Sequence, residues 1–424
     1  MAPSRRLLFV TPYLPSPPGF GGQRRAHGLF SGLARSHAVS VLSLINLSNP
    51  GEISPEATLR YCEKVFTVPN PAFSLSRKRK RLSQARSLAS WRSFEWQTFV
   101  VPALLRELRA LLSRERYDVV TFECSMMAPY RRWLPGDGAR PVFVLDEQNI
   151  EYQILERTAA AESGLARWLY NRVNLPKLRH EERHAWRSFD GCTVPSALDQ
   201  QVLLRDVPRA RTAVIPNAVD LDFFQPREEA PAPDTILFLG AHNYFPNADG
   251  LRYFLSECLP ILKRTVPAVK LRVVGHTPSE FQSFASETVQ MVGFVDDVRV
   301  EFARAAVVIV PLRVGSGTRL KILEAMAMGK PVVSTRLGAE GLEVVPDRDL
   351  LLADDPAAFA AAIARVLADD NLGRALGVAG RRLVEQVYGW GAAVDRLERF
   401  HDRLIEARTS GLTDHQRRAL SSPP

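Results

Sequence analysis

Val307-Val308-Ile309-Val310-Pro311-Leu312-Arg313-Val314-Gly315-Ser316-Gly317-Thr318-Arg319-Leu320-Lys321-Ile322-Leu323-Glu324-Ala325-Met326-Ala327-Met328-Gly329-Lys330-Pro331-Val332-Val333-Ser334 is the stretch on which the fold turns. Its β-branched run from Val307 to Val310 predicts a central strand that stops at Pro311. Gly315 and Gly317 mark a tight loop. Thr318 caps or opens a helix that runs to Met328, Gly329 ends it, and Pro331 prevents its continuation before the strand at Val332-Val333. A glycine-rich loop at a helix N-terminus offers free backbone N–H groups and the positive end of the helix dipole, so the unit suits an anion.

On a helical wheel Leu320, Ile322, Leu323, Met326 and Ala327 form one apolar arc, with Lys321 and Glu324 together on the other side. Arg319 falls inside the apolar arc. In the first turn its guanidinium is expected to reach past the helix end and make a bidentate contact with phosphate. Glu324, a turn deeper, is placed to accept hydrogen bonds from sugar hydroxyls. The competing reading is a solvated Lys321–Glu324 pair on a helix shaped only for packing. The loop is not a Walker A loop, since no Gly-Lys-Ser/Thr follows.

The same strand–helix rhythm extends in both directions. Toward the N-terminus, strands are expected at Leu7–Val10, Val39–Leu44, Val65–Val68, Val119–Phe122, Val142–Leu145 and Gly191–Val194. Helices are expected at Gln23–Arg35, Thr98–Leu112 and about Leu165–Trp186. In the second half the strands are Ile236–Leu239, Leu271–Val274, Val289–Val292, Val307–Val310 and Val332–Ser334, and a last amphipathic helix spans about Ala392–Ala407. Alternation of this kind predicts α/β architecture with two doubly wound parallel sheets. The expected parts are an N-terminal domain over 1–212 and a second domain over 213–390. A helix over 391–408 is expected to pack back on the first domain, ahead of a polar, fraying tail over 409–424. Pro and Glu concentrate between Gln225 and Asp234, which reads as the linker. Two such sheets facing each other would place their carboxyl ends on a cleft.

At 424 residues, two cores are the default. Hydrophobic residues make up 46% and charged residues 24%, an ordinary globular mixture. A net charge of +9 predicts attraction to phosphates, a lipid surface or nucleic acid. Without zinc-finger spacing or an RNP-like aromatic strand, nucleic acid is the weakest of the three, and no nucleic-acid partner is expected. Cys62, Cys124, Cys192 and Cys258 form no CxxC pair, which suits a reducing compartment without a zinc site. Leu7 to Val10 is too short for a signal peptide, and no run reaches the length of a membrane span. A cytoplasmic location is expected, with peripheral attachment at the inner face of the plasma membrane as its variant. The basic run Arg77-Lys78-Arg79-Lys80-Arg81, with Leu82, Leu88, Trp91, Phe94 and Trp96 following, reads equally as a segment lying on anionic lipid and as a solvated loop.

Three stretches give the chain a family resemblance. The stretch from Gly293-Phe294-Val295-Asp296-Asp297-Val298 through Ser334 closely resembles the glycosyltransferase family 4 group. Val214-Ile215-Pro216-Asn217-Ala218-Val219-Asp220 resembles that family's interdomain signature. Pro15 to Arg25, with Gly21-Gly22, resembles its first donor and acceptor loop. The resemblance covers nearly the whole chain in the expected order. It implies the GT-B fold and retaining, metal-independent transfer from a nucleotide diphosphate sugar, with no cofactor. The acceptor would be a glycan or a lipid-linked sugar, in cell-surface or exopolysaccharide synthesis.

By the same resemblance Glu324 matches the second glutamate of the Glu-x7-Glu motif and would contact the donor ribose. Gly317 and Thr318 would hold the diphosphate, and the turn from Gly293 through Phe294 to Val295 would pack against the base. Three departures stand out. The motif's first glutamate is Ser316, so recognition of the sugar ring must differ. The loop after the first strand of the second domain reads Gly240-Ala241-His242-Asn243-Tyr244 where the family often has Arg and Lys, so Arg319 and Lys321 are inferred to supply the charge. Gln148, in Asp146-Glu147-Gln148-Asn149, stands where the family has an acceptor-side histidine, and glutamine cannot take a proton at neutral pH. The diphosphate leaving group would then help deprotonate the acceptor.

Arg319, Lys321 and Gln148 are thus the candidate catalytic residues. Gly21, Gly22, Phe294, Val295, Ser316, Gly317, Thr318 and Glu324, again with Arg319 and Lys321, are the candidate donor-binding set. By themselves Gly21-Gly22 read equally as a ligand approach and as a plain turn. Glu123, ending a strand at the cleft edge, reads equally as an acceptor-hydroxyl contact and as a solvated strand end. His27 and His184 read as surface or packing residues. Two other classes compete: a nucleotide-sugar epimerase, for which no convincing acid/base pair is visible, and a non-catalytic nucleotide-sugar-binding protein.

Overall fold

β-Branched and aromatic runs buried on both faces build the first sheet. Its strands are β1 (Arg6–Thr11), β2 (Ala38–Ile45), β3 (Lys64–Pro69), β4 (Val119–Glu123), β5 (Val142–Asp146), β6 (Gly191–Val194) and β7 (Thr212–Val214). In this computed structural model, which describes residues 4–47, 55–134, 141–161, 164–315 and 317–410, they pair in the order β3-β2-β1-β4-β5-β6-β7. All pairings are parallel, for example Leu7↔Val119 and Phe122↔Leu145. Every residue of β4 and β5 is buried, as expected for strands covered by helices on both sides.

The second sheet comprises β8 (Thr235–Leu239), β9 (Lys270–Val274), β10 (Val289–Gly293), β11 (Val307–Val310), β12 (Val332–Ser334) and β13 (Leu351–Leu352). Its order is β10-β9-β8-β11-β12-β13. Both sheets therefore run outward from their first strand and then reverse. The reversal lies between β1 and β4 in one and between β8 and β11 in the other. In open parallel sheets the crevice at the carboxyl ends of such a pair is where ligands bind.

The chain forms two units, Met1–Pro216 with Trp390–Pro424, and Asn217–Gly389. The division falls after the expected 212/213 boundary because Thr212–Val214 pairs with β6 and belongs to the first sheet. The Gln225–Asp234 stretch is not a linker but lies within the second unit. Ala232 N–H donates to the Arg304 carbonyl at 2.9 Å, and Arg227 lies 3.5 Å from Asp297. Helix Trp390–Ser410 packs on helix Gly21–Leu33 through glycines: a Cβ on Gly28 would lie 2.2 Å from the Trp390 ring, and one on Gly32 2.4 Å from Val394.

One expected helix differs, and the strands Thr212–Val214 and Leu351–Leu352 were not expected. The Thr98–Leu112 helix is two helices, Phe94–Phe99 and Pro102–Arg114. Pro102 supplies no N–H to the preceding turn, and Val101 before it is extended. The strand Leu351–Leu352 escapes sequence reading because two residues carry no periodicity.

Candidate active site

Beside the β8/β11 reversal, the ends of β8, β9 and β10 are cleared by glycine. A Cβ on Gly275 would lie 2.0 Å from the Gly240 carbonyl oxygen, and Gly275 has φ +119°. Gly240 N–H donates to Val274 O at 3.0 Å, and Gly275 N–H to Gly293 O at 2.7 Å, so the three loop starts form one hydrogen-bonded layer. Gly275→Ala combines a strained backbone with overlap against another backbone atom. It should cost at least the roughly 1–3 kcal/mol of overpacking, read as a lower urea midpoint of the full chain.

The helix after β11 spans Leu320–Ala327. Its N-cap is Arg319 rather than Thr318. Thr318 instead accepts a hydrogen bond from Asn217 Nδ2 at 2.7 Å. The guanidinium of Arg319 folds back on the loop, with Nη1 donating to the Gly317 carbonyl, and its Nη2 is 3.0 Å from where a Gly315 Cβ would be. It braces the Gly315–Gly317 loop. This differs from the sequence expectation of a guanidinium extended past the helix end. The C-terminus ends as expected: Gly329 has φ +66°, and Lys330 N–H closes on Ala325 O at 2.9 Å. Ser316 lies outside the described residues.

Lys321 does not sit on a solvated face. Its Nζ donates to Asn247 Oδ1 at 2.8 Å and lies 5.3 Å from the centre of the Phe238 ring. It stands against Gly240, whose Cβ would be 2.9 Å from it. Burial, reinforced by the nearby Arg319 charge, pushes the ammonium down to about 7, with Glu324 opposing. Glu324 is itself buried, as is every residue from Ile322 to Ala327, so the helix has no wet side there. Arg313, in the same loop, is committed to Asp249 through two bonds of 2.8 and 3.1 Å.

His242 and Asn247 are residues the sequence reading missed. His242 is fully buried, its ring stacked on Phe238 at 5.3 Å and its Nδ1 3.0 Å from Thr277 Oγ1. Burial, then the Lys321 charge, lowers it to about 4, so the ring is neutral at pH 7. Its Nε2 has no protein partner among the described residues. The available signal was a histidine three residues past the end of a buried strand. The turn after β10 carries Gly293 at φ +81°, with Phe294 81% exposed and Val295 packed against the core. An aromatic left in water beside a strand end is a ready face for a planar ring.

The first unit holds the other candidates at its own β1/β4 reversal. Tyr13 OH donates to Gln148 Oε1 at 2.7 Å, and Gln148 Nε2 donates to Glu123 Oε2 at 3.0 Å. Gly22 begins helix Gly21–Leu33 beneath them. A Cβ there would lie 2.3 Å from Tyr13 OH and 2.5 Å from Gln148 Oε1, so the position requires glycine. Glu123 is fully buried rather than a solvated strand end. Burial, with Asp146 nearby, holds its carboxyl well above the usual range. Asp146 in turn is gripped by Arg25 at 2.7 and 2.9 Å and accepts from Thr193 Oγ1.

Comparison with known proteins settles the lineage. The family described as "Glycosyl transferases group 1" matches residues 233–369, and that described as "Glycosyl transferase 4-like domain" matches residues 20–218. The chain belongs to the group 1 glycosyltransferases. Over 244 residues it is 28% identical to a subunit of the phosphatidylinositol N-acetylglucosaminyltransferase of Arabidopsis thaliana, covering 54% of this chain and 52% of that protein. Over 226 residues it is 29% identical to a GDP-mannose-dependent alpha-(1-6)-phosphatidylinositol monomannoside mannosyltransferase of Mycolicibacterium smegmatis, covering 47% and 59%. The match thus spans about half the length of these curated relatives. The sucrose-phosphate synthase of Thermosynechococcus elongatus superposes with TM-score 0.70 at 20% identity, over 95% of this chain and 100% of that one. This glycosyltransferase family member therefore has the GT-B fold of two Rossmann-like parallel-sheet domains.

Proposed function

We propose that the protein transfers a sugar, with retention at the anomeric carbon, from a nucleotide diphosphate donor to a glycan or lipid-linked acceptor. The reading rests chiefly on Lys321, an ammonium held partly desolvated beside the glycine-cleared reversal of the second sheet. The bond between the anomeric carbon and the diphosphate oxygen breaks, and that oxygen keeps the electron pair. Lys321 and the amides opening helix Leu320–Ala327 stabilise the growing negative charge, with Arg319 holding the loop that presents them. The acceptor oxygen bonds to the same carbon, and its proton passes to the departing phosphate. Gln148 positions the acceptor rather than taking that proton. Glu324 receives the ribose hydroxyls, and Phe294 with Val295 borders the base. No metal or cofactor is assigned a step.

Cell-surface or exopolysaccharide synthesis is the setting this acceptor class implies. No helix among the described residues is long and apolar enough to cross a membrane. Attachment would instead run through helix Arg77–Leu88. Its five leading basic residues are exposed, as are Leu82, Leu88 and Trp91, the last 95% exposed. The full chain should co-sediment with vesicles of one-third phosphatidylglycerol but not with pure phosphatidylcholine. Replacing Arg77, Arg79 and Arg81 by Glu should abolish that.

A thermal-shift screen over UDP-, GDP-, ADP- and dTDP-sugars tests the donor assignment. A donor at about 100 times its Kd adds roughly 2.7 kcal/mol and raises Tm by several degrees. Absence of a shift with every donor would overturn the reading. Product analysis of the hit without and with acceptors separates transfer from isomerisation.

A further inference from the structure

The first unit contains a cavity of about 490 Å3 that no part of the proposed transfer chemistry uses. It lies between the start of helix Phe94–Phe99, the short helix Ser125–Trp133 and helix Leu165–Ser188. Its size falls within the roughly 300–1,000 Å3 of small-molecule sites. One of its lining residues is Ser125, two residues past the end of β4. There Ser125 Oγ donates to Glu182 Oε1 at 3.2 Å, and the same carboxylate accepts from Glu151 and Tyr152 N–H at 2.9 and 2.8 Å. The cavity therefore begins at the carboxyl edge of the first sheet, where Gln148 and Glu123 stand.

The walls are fixed by their own bonds. Ser93 N–H donates to Glu181 Oε1 at 3.0 Å, Ser93 Oγ caps Trp96 N–H at 3.0 Å, and Asn174 Nδ2 holds Glu95 Oε2 at 2.9 Å. Arg92 lies over the Trp96 ring at 5.1 Å and Arg132 over Trp133 at 5.0 Å. His180 and His184, both exposed and one turn apart, lead from this frame to the mouth.

The lining holds three guanidiniums (Arg92, Arg131, Arg132) and three carboxyl groups (Glu95, Glu181, Glu182), and burial raises Glu181 and holds Glu182 well above the usual carboxylate range. That mixture disfavours a ligand of one sign: a phosphate would meet the Glu95 and Glu181 carboxyls, an amine the guanidiniums. A neutral polyol satisfies both, since each hydroxyl donates to a carboxylate and accepts from a guanidinium or imidazole. Trp96, half-buried, adds an apolar wall for the C–H face of a ring. We propose that this cavity is a carbohydrate subsite, taking neutral sugar residues of the acceptor chain away from the hydroxyl that reacts. The inference rests on the glycosyltransferase reading for its role, but not for its binding chemistry.

The test is an immobilised array of neutral and acidic oligosaccharides, including mannotriose, chitotriose, cellotriose and their uronate- and phosphate-bearing counterparts, probed with the full chain. Binding to at least one neutral oligosaccharide is expected. It should weaken tenfold or more in Arg132→Ala and in His184→Trp, which fills the mouth. Both substitutions are on exposed side chains, and unchanged urea midpoints would show the fold intact. A third variant, Lys321→Ala, lies in the second unit and should bind the array as the wild type does. Binding to acidic oligosaccharides alone, to none, or equally in the cavity variants would overturn the proposal. The donor thermal shift of the same variants is independent. A protein that shifts with a donor but fails the array loses only this inference, and one that passes the array without any donor shift loses only the transfer reading.

Discussion

Lys321→Ala is expected to lower kcat by about 100- to 1,000-fold, the range for removing one preorganised group that meets developing charge. The fold should persist, because the side chain packs at the mouth of the second sheet rather than in its core. Loss of the ammonium also relieves a desolvated charge, so the urea midpoint should stay level or rise. The pH dependence of donor binding carries the same signature. In the free protein Lys321 is lowered to about 7 by burial. A bound diphosphate favours the ammonium and raises that value. Below pH 7 the lysine is already charged, so affinity is flat with pH. Above it, binding must take up a proton, and affinity falls up to about tenfold per pH unit until the bound-state value is reached. Lys321→Arg keeps its charge throughout and should remove the slope. Stability of the free protein moves the opposite way for this group. The unfolded lysine, at its ordinary 10.5, holds its proton where the folded one has lost it, so its destabilising effect fades as pH rises from 7 toward 10.5. Titration calorimetry of the donor between pH 6 and 9 measures the slope. A flat profile with full turnover in Lys321→Ala would remove this residue from the mechanism.

Asp146→Ala is the substitution expected to cost most stability. Asp146 ends β5, and Arg25 binds both its oxygens from helix Gly21–Leu33 while also donating to the Ile215 carbonyl at 2.8 Å. The two side chains are 5% and 1% exposed, so the pair is cut off from water. Removing one partner leaves the other charge buried and uncompensated, about 3–5 kcal/mol. Arg25→Met with Asp146→Leu removes both charges and should recover most of that loss, because the pair's attraction mainly offsets its own desolvation. Urea unfolding of the full chain, followed by tryptophan fluorescence, reads both. Equal midpoints for Asp146→Ala and the wild type would show that water reaches the pair.

How far these residues could be read in advance depended on distance along the chain. The β11–loop–helix unit was readable because its signals are local: a β-branched run, Gly315 and Gly317, an apolar arc, and Gly329 before Pro331. Strand positions followed for the same reason, and failures came where periodicity is short, as at Leu351–Leu352, or broken by Pro102. Lys321 was harder. On the wheel it lies opposite the apolar arc, which is consistent with solvent, yet its partner Asn247 is 74 residues away and its ceiling is the Gly240 loop. Glu123 read equally as an acceptor contact and as a strand end in water, because nothing local announces that Gln148, 25 residues on, closes over it.

Local order along the chain is enough to set the alternation of strands and helices, the division into two sheets, the glycine loop at a helix start, and the family resemblance. All are set by neighbours within a few residues, where backbone sterics and side-chain period act directly. Packing of the whole chain makes Arg319 brace its own loop, desolvates Lys321 and His242 side by side, seals Arg25 and Asp146 in one buried charge pair, and opens a polar cavity beside Ser125. Those outcomes depend on which distant groups exclude water from one another, and solvent exclusion is a property of the packed chain rather than of any segment in it.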